Sequence, residues 1–200
     1  MTIPAKTATT ATPLHPLLAE RWSPRAFSAD HRLTDEQVTS LLEAARWAPS
    51  ASNTQPWRFS VTLRGSAEHA AVLDALASGN RGWAHAASAL IVVAAETVGP
   101  DGDARPWAAY DTGQAVAHLS VQAQHEGLAV HQLGGFDRDR IAALLPSPGV
   151  LPMVVIAVGR RDEAERLAEP FASREAAPRE RLSVDDLLLP MLPEPVAAVA

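Results

Sequence analysis

Apolar residues Val38, Leu41, Leu42 and Ala45 recur at helical spacing behind a Thr34/Gln37 capping box, and Pro49 halts the pattern, which predicts a helix over 35–48. The loop residues Ser50 to Pro56 follow, and then Trp57, Phe59, Val61 and Leu63 alternate with polar neighbours as a half-buried strand over 57–63. Ser66 caps a next helix with Val72, Leu73 and Leu76 on one face, and Gly79-Asn80-Arg81-Gly82 is expected to close it. The unbroken apolar run 89–95 suits a strand covered on both faces. Ala108, Ala115, Val116, Leu119 and Ala123 form a stripe along a central helix over 107–126, stopped by Gly127. A short strand over 128–133, a Gly134-Gly135 turn and an Asp137-capped helix with Ile141, Leu144 and Leu145 inward come next, and 153–158 is the last core strand.

Helices and strands alternate without a strict strand–helix–strand rhythm, so the pattern predicts an α+β layer structure rather than a doubly wound sheet. Residues 1–13 read as a loose arm and 14–200 as a single domain. Within that domain, about 160–200 forms a charge-rich linker and a tail. The tail's apolar Leu182, Leu187, Leu188, Leu189, Met191 and Leu192 need a surface, either the chain's own or that of a partner subunit.

Composition narrows the chemistry. Without cysteine there is no thiolate nucleophile, cysteine-ligated zinc or iron–sulfur cluster, and the expected compartment is the reducing cytoplasm. The start of the chain lacks the basic and apolar blocks of a signal peptide, and 89–95 and 153–158 fall far short of the roughly 20 residues that span a bilayer. A net charge of −6 argues against broad nucleic-acid binding. The seven histidines form no helical pair with a glutamate, so no metal site is expected. Neither a Gly-x-Ser-x-Gly elbow nor a dinucleotide-binding glycine motif occurs.

Lys6 is the single lysine and the other sixteen basic residues are arginines, so an anion site must rely on guanidinium forks or backbone N–H groups. Arg21-Trp22-Ser23-Pro24-Arg25 places two guanidinium groups and a hydroxyl within five residues, and Arg179 and Arg181 form a second pair before the tail. Each cluster reads as a phosphate grip or as a solvated surface. Ser50, Ser52, Asn53 and Gln55 could bond the edge of a heterocycle or form an ordinary capped loop, and Gly134-Gly135 is either a plain turn or a close approach to a flat ligand.

Taken in order, Arg21-Trp-Ser-Pro-Arg-Ala-Phe27, the block from Leu42 through Pro49 and Asn53-Thr-Gln55-Pro-Trp57, Asp111-Thr-Gly113, Glu126-Gly-Leu128, Gly134-Gly-Phe136 and the stretch from Arg179 to Asp186 resemble the FMN-dependent nitroreductase family. The likeness covers roughly 14–190. It implies a nitroreductase-like α+β fold with a central mixed sheet flanked by helices, and a homodimer with FMN at the subunit interface and a C-terminal extension over the partner. By the same likeness Arg21, Trp22, Ser23, Arg25, Arg179 and Arg181 hold the FMN phosphate, ribityl chain or pyrimidine edge. Pro49, Ser50, Ala51, Ser52, Asn53 and Gln55 approach from the other subunit, and Leu133, Gly134 and Gly135 lie near the flavin's reactive nitrogen. The implied activity is ping-pong hydride transfer from NADH or NADPH to nitroaromatics, quinones or similar acceptors, with flavin rather than a side chain carrying the chemistry. Dehydrogenation, dehalogenation, flavin breakdown or plain flavin binding are the alternatives on the same fold. Trp83, Trp107, Tyr110 and Phe136 are candidates for lining the pocket or for core packing.

Overall fold

The computed structural model describes residues 6–147 and 149–189. Its helices are α1 (Pro16–Glu20), α2 (Asp35–Arg46), α3 (Ala67–Ala75), α4 (Ser78–Ala84), α5 (Ala108–His125), α6 (Arg138–Leu144) and α7 (Phe171–Ala176). The strands β1 (Trp57–Leu63), β2 (Ala89–Glu96), β3 (Ala129–Leu133) and β4 (Val150–Gly159) form one sheet in the order β1-β2-β4-β3. Strand β2 is at its centre and buried over seven of its residues, which fits its unbroken apolar sequence.

Alternate residues of β2 serve two cores. Ala89, Ile91 and Val93 pack with Leu41 and Ala45 of α2 and Ala115, Val116, Leu119 and Ala123 of α5. Leu90 and Val92 pack on the opposite face with Val72 of α3, Trp83 of α4 and Ile141 of α6. The sheet is thus the middle of three layers, the α+β arrangement expected from the sequence. All three pairings among the described residues are antiparallel, whereas the resemblance implied a mixed sheet. An apolar strand reports cover on both faces, not direction, and helices on both sides bury antiparallel strands equally well.

The stripe of α5 faces the sheet as expected, and Gly127, at φ +69°, ends it in the left-handed conformation while the Leu128 N–H returns to the Ala123 carbonyl at 2.8 Å. Capping residues Thr34, Ser66 and Asp137 each accept from the N3 backbone N–H.

Several expectations are corrected. Gly79-Asn80-Arg81-Gly82 lies inside α4 and does not close the helix after Ser66; that helix stops at Leu76. There the chain leaves helical geometry because Leu76 bridges Phe136 and the Ala77 N–H donates to the Gly135 carbonyl at 3.0 Å. Helix α2 ends at Arg46, two residues early, since the Trp47 and Ala48 N–H groups close the last turn. Leu144 is half exposed while Ile141 alone of its trio is fully buried. Strand β4 starts earlier than expected and bulges: Val93 faces Val154 and Ala94 faces Pro152, leaving Met153 as the extra residue beside a proline that has no N–H to pair.

Segments near both termini, 6–8 and 160–176, pack on the body. From Lys6 onward the arm is tied down, with the Ala8 N–H on the Ala19 carbonyl at 2.8 Å and the Lys6 carbonyl accepting from Arg179. Residues 160–162 pair with Ala26, Phe27 and Ser28, and Phe171 of α7 packs against the second core. The segment expected to be a linker therefore covers the chain's own surface. Leu182, Val184 and Leu187 to Leu189 are exposed, and Met191 and Leu192 lie outside the described residues.

Replacing the fully buried Leu41 with alanine is expected to cost about 2–5 kcal/mol, and Thr34→Ala about 1 kcal/mol through the lost cap; denaturant unfolding of both variants measures the difference.

Candidate functional site

Arg21 leaves α1 in extended conformation, and the run to Arg25 crosses the end of the body before Phe27 joins Arg161 in a short antiparallel bridge. The chain then returns through α7, where Glu175, only 4% exposed, accepts from the Arg25 N–H at 2.9 and 3.0 Å and from the Ala26 N–H at 3.2 Å. This carboxylate fastens the C-terminal segment to the first arginine cluster. A cleft of about 240 Å³ results, lined by Arg21, Trp22, Ser23 and Arg25 from the N-terminal side, Arg174, Arg179 and Arg181 from the C-terminal side, and Lys6. The two arginine clusters, some 150 residues apart in sequence, thus share one site.

Cations predominate in the cleft, although Glu180 also lines it and Arg25 Nη1 lies 3.9 Å from the Glu175 carboxylate. Burial, then the charges of Arg179 and Arg181, pull the Arg21 guanidinium below the usual arginine range, and burial followed by Arg181 does the same to Arg179. Arg21 makes no side-chain hydrogen bond among the described residues, while Arg179 donates to the Lys6 and Ala19 carbonyls at 2.7 Å each. The indole N–H of Trp22 is buried with no acceptor among the described residues. Unpaired guanidinium and indole donors around a small cleft suit an anion with several acceptor oxygens, such as a phosphate group.

His131 of β3 supports this wall from beneath. Its Nδ1 lies 2.9 Å from the Pro24 carbonyl and its ring 4.6 Å from that of Trp83. Burial holds its pKa down to about 4, against the favourable bond to Pro24, so the ring is neutral at pH 7 and donates from Nδ1.

The Pro49–Gln55 loop stands apart from the arginine cleft within one chain. Ser52, Asn53 and Gln55 have φ of 51°, 55° and 45°, a conformation that costs L residues about 1–3 kcal/mol each and gathers where structure serves a site. The loop is held by Gln55 N–H donating to Ser50 Oγ at 3.1 Å and by Ala51 N–H donating at 3.1 Å to Asp111, a carboxylate only 3% exposed. Pro49, Ser50 and Ala51 border a cavity of about 300 Å³ together with Trp107, Tyr110, Asp111 and Gln114. Trp107 and Tyr110 are largely exposed, whereas Trp83 is core. At the end of β3, Leu133 is buried and the Gly135 carbonyl accepts from Ala77 N–H and Asn80 Nδ2, each at 3.0 Å. A Cβ on Gly135 would meet Asn80 at 2.9 Å, so packing against α4 accounts for this glycine, and the turn leads into α6 rather than a hairpin.

Sequence reasoning missed Glu175, Asp111 and the anchoring role of His131, and it assigned Lys6 to a loose arm. Nothing in the local sequence marks Glu175 among the many charges of 160–181, and Asp111 stands out only as part of Asp111-Thr-Gly113.

The three-layer α+β fold thus carries a guanidinium-lined cleft where the segment from Lys6 to Arg25 meets that from Arg174 to Arg181. The chain belongs to the nitroreductase family, whose profile matches residues 18–160. Protein DrgA of Synechocystis is 30% identical over 177 residues, covering 72% of this chain and 82% of that protein. The oxygen-insensitive NADPH nitroreductase of Helicobacter acinonychis is 34% identical over 77 residues, 38% of this chain and 36% of its own. A solved structure described as an oxidoreductase containing FMN is 32% identical, covers 94% of this chain and 96% of its own, and superposes with a TM-score of 0.86.

The depressed His131 pKa has a defined sign. As pH falls from 6.5 to about 4, the unfolded chain takes up a proton that the fold refuses, so stability present above pH 6.5 is progressively lost over that window. His131→Gln, which can still donate to Pro24, is expected to remove about 2–4 kcal/mol of that decline, read as the difference between the pH dependences of urea unfolding.

Proposed function

We propose that the protein is an FMN-dependent oxidoreductase that uses NADH or NADPH to reduce nitroaromatics, quinones or similar small acceptors. Convergence of Arg21, Arg25, Arg179 and Arg181 on one cleft carries this reading, because no other cavity among the described residues gathers so many cationic side chains. The FMN of the 32%-identical structure and the NADPH in the name of the Helicobacter relative support the same choice of cofactor and donor. FMN, when bound, supplies the hydride exchange.

The chain's own residues bind and orient. Arg21, Arg179 and Arg181 neutralise the phosphate, with Ser23 and the Trp22 indole as further donors; Arg25 serves the ribityl chain or pyrimidine edge. Glu175 fixes the backbone of Arg25 and so the direction of its side chain. The exposed polar loop from Pro49 to Gln55 reaches the site of the partner in a homodimer, and the backbone of Leu133, Gly134 and Gly135 borders the reacting edge. The exposed leucines of the tail cover the partner subunit. No side-chain acid or nucleophile is needed, and donor and acceptor use one pocket in turn, in ping-pong order.

Purified protein is expected to be yellow or to take up added FMN, and NADPH is expected to bleach it anaerobically until a nitroaromatic restores the colour. A colourless chain that refuses FMN contradicts the proposal, and bound flavin that no nicotinamide reduces makes it a flavin-binding module. Arg21→Ala is expected to weaken FMN binding by about 1.5–3 kcal/mol, measured by fluorescence titration.

A further inference from the structure

The N-terminal segment is a strap, and we propose that it brings Lys6 into the cleft as a phosphate-binding cation from a third part of the chain. The inference rests on the FMN reading above and adds to it a residue outside the span matched by the family profile. Four contacts fix the segment. Lys6 Nζ donates to the Glu175 carbonyl at 2.6 Å and stands 4.5 Å over the Trp22 ring. The Lys6 carbonyl accepts from Arg179 at 2.7 Å, and the Ala8 N–H holds the Ala19 carbonyl. Glu175 thereby joins all three parts, with its carboxylate on Arg25 and its carbonyl on Lys6.

An ammonium group has three donors, and one is used on Glu175, which leaves two for an acceptor in the cleft. Lys6 stands among Arg25, Arg174, Arg179 and Arg181, and the nearby carboxylates, Glu175 beside Arg25 and Glu180 in the lining, are outnumbered by these cations, so a further anion is favoured there. Burial, together with the charges of Arg179 and Arg25, accordingly pulls the Lys6 ammonium below the usual lysine range, against the pull of Glu175. Of the cleft's cations only Lys6 is a compact point charge on a flexible stem, able to follow a phosphate that the planar guanidinium forks have already oriented.

The test uses the full chain and two ligands that differ only in the phosphate, FMN and riboflavin. Lys6→Gln is expected to raise the dissociation constant for FMN by about tenfold and to leave that for riboflavin within about twofold. Because Lys6 is the chain's single lysine, its acylation by an amine reagent can be followed on one peptide by mass spectrometry. FMN is expected to slow that acylation at least about fivefold and riboflavin to leave it nearly unchanged. Lys6→Arg, which keeps the charge, is expected to recover most of the FMN affinity. Unchanged FMN affinity in Lys6→Gln, or equal losses for both ligands, overturns the strap's role in phosphate binding while the FMN reading stands. A wild-type chain that binds neither ligand overturns both.

Discussion

The buried carboxylate of Glu175 is the constraint on which the site depends. It takes the backbone N–H groups of Arg25 and Ala26 from the start of the chain while its own helix belongs to the end, so three separate segments meet around one small volume. The groups brought together repel one another: two unit charges 4 Å apart cost about 1 kcal/mol in water and about 4 kcal/mol at the weaker screening of a protein surface. Backbone hydrogen bonds to a buried carboxylate that also lies 3.9 Å from the Arg25 guanidinium hold such an arrangement against the arginines' mutual repulsion. Guanidinium groups held this close together repel one another and favour an anion between them.

The rest of the molecule serves as a frame for this junction. A central strand that feeds two cores makes the sheet rigid on both faces. From that sheet His131 reaches the Pro24 carbonyl, which transmits the position of β3 to the arginine run. The polar loop after α2 is organised differently, by backbone strain at Ser52, Asn53 and Gln55 that the Asp111 and Ser50 contacts offset. One part of the molecule is charged and the other conformationally tense, and within a single chain they face separate cavities. On the proposed reading, two copies would join these parts into one pocket.

The elements whose residues repeat at a fixed period were legible in the sequence. The α5 stripe, the capping residues Thr34 and Asp137 and the two-sided apolar run of β2 announce themselves because burial acts on neighbours along the chain. Strand direction was not legible, since cover on both faces leaves the same signature in either sense. The break at Leu76 was missed because its cause, the Phe136 bridge and the Gly135 carbonyl, lies some sixty residues away. The arginine clusters were visible as clusters, but the contacts that bring them together, from Glu175, from Arg179 and from the pairing of 160–162 with 26–28, join residues far apart in sequence. Lys6 was visible as the single lysine but not as part of the cleft, because its neighbours in sequence say nothing about the α7 residue that captures it.

A crystal structure of the protein with FMN tests the central claim most directly. The account predicts the phosphate within about 3 Å of the guanidinium groups of Arg21 and of Arg179 or Arg181 from the same protomer. A phosphate bound elsewhere, with that cleft open to solvent, would contradict it.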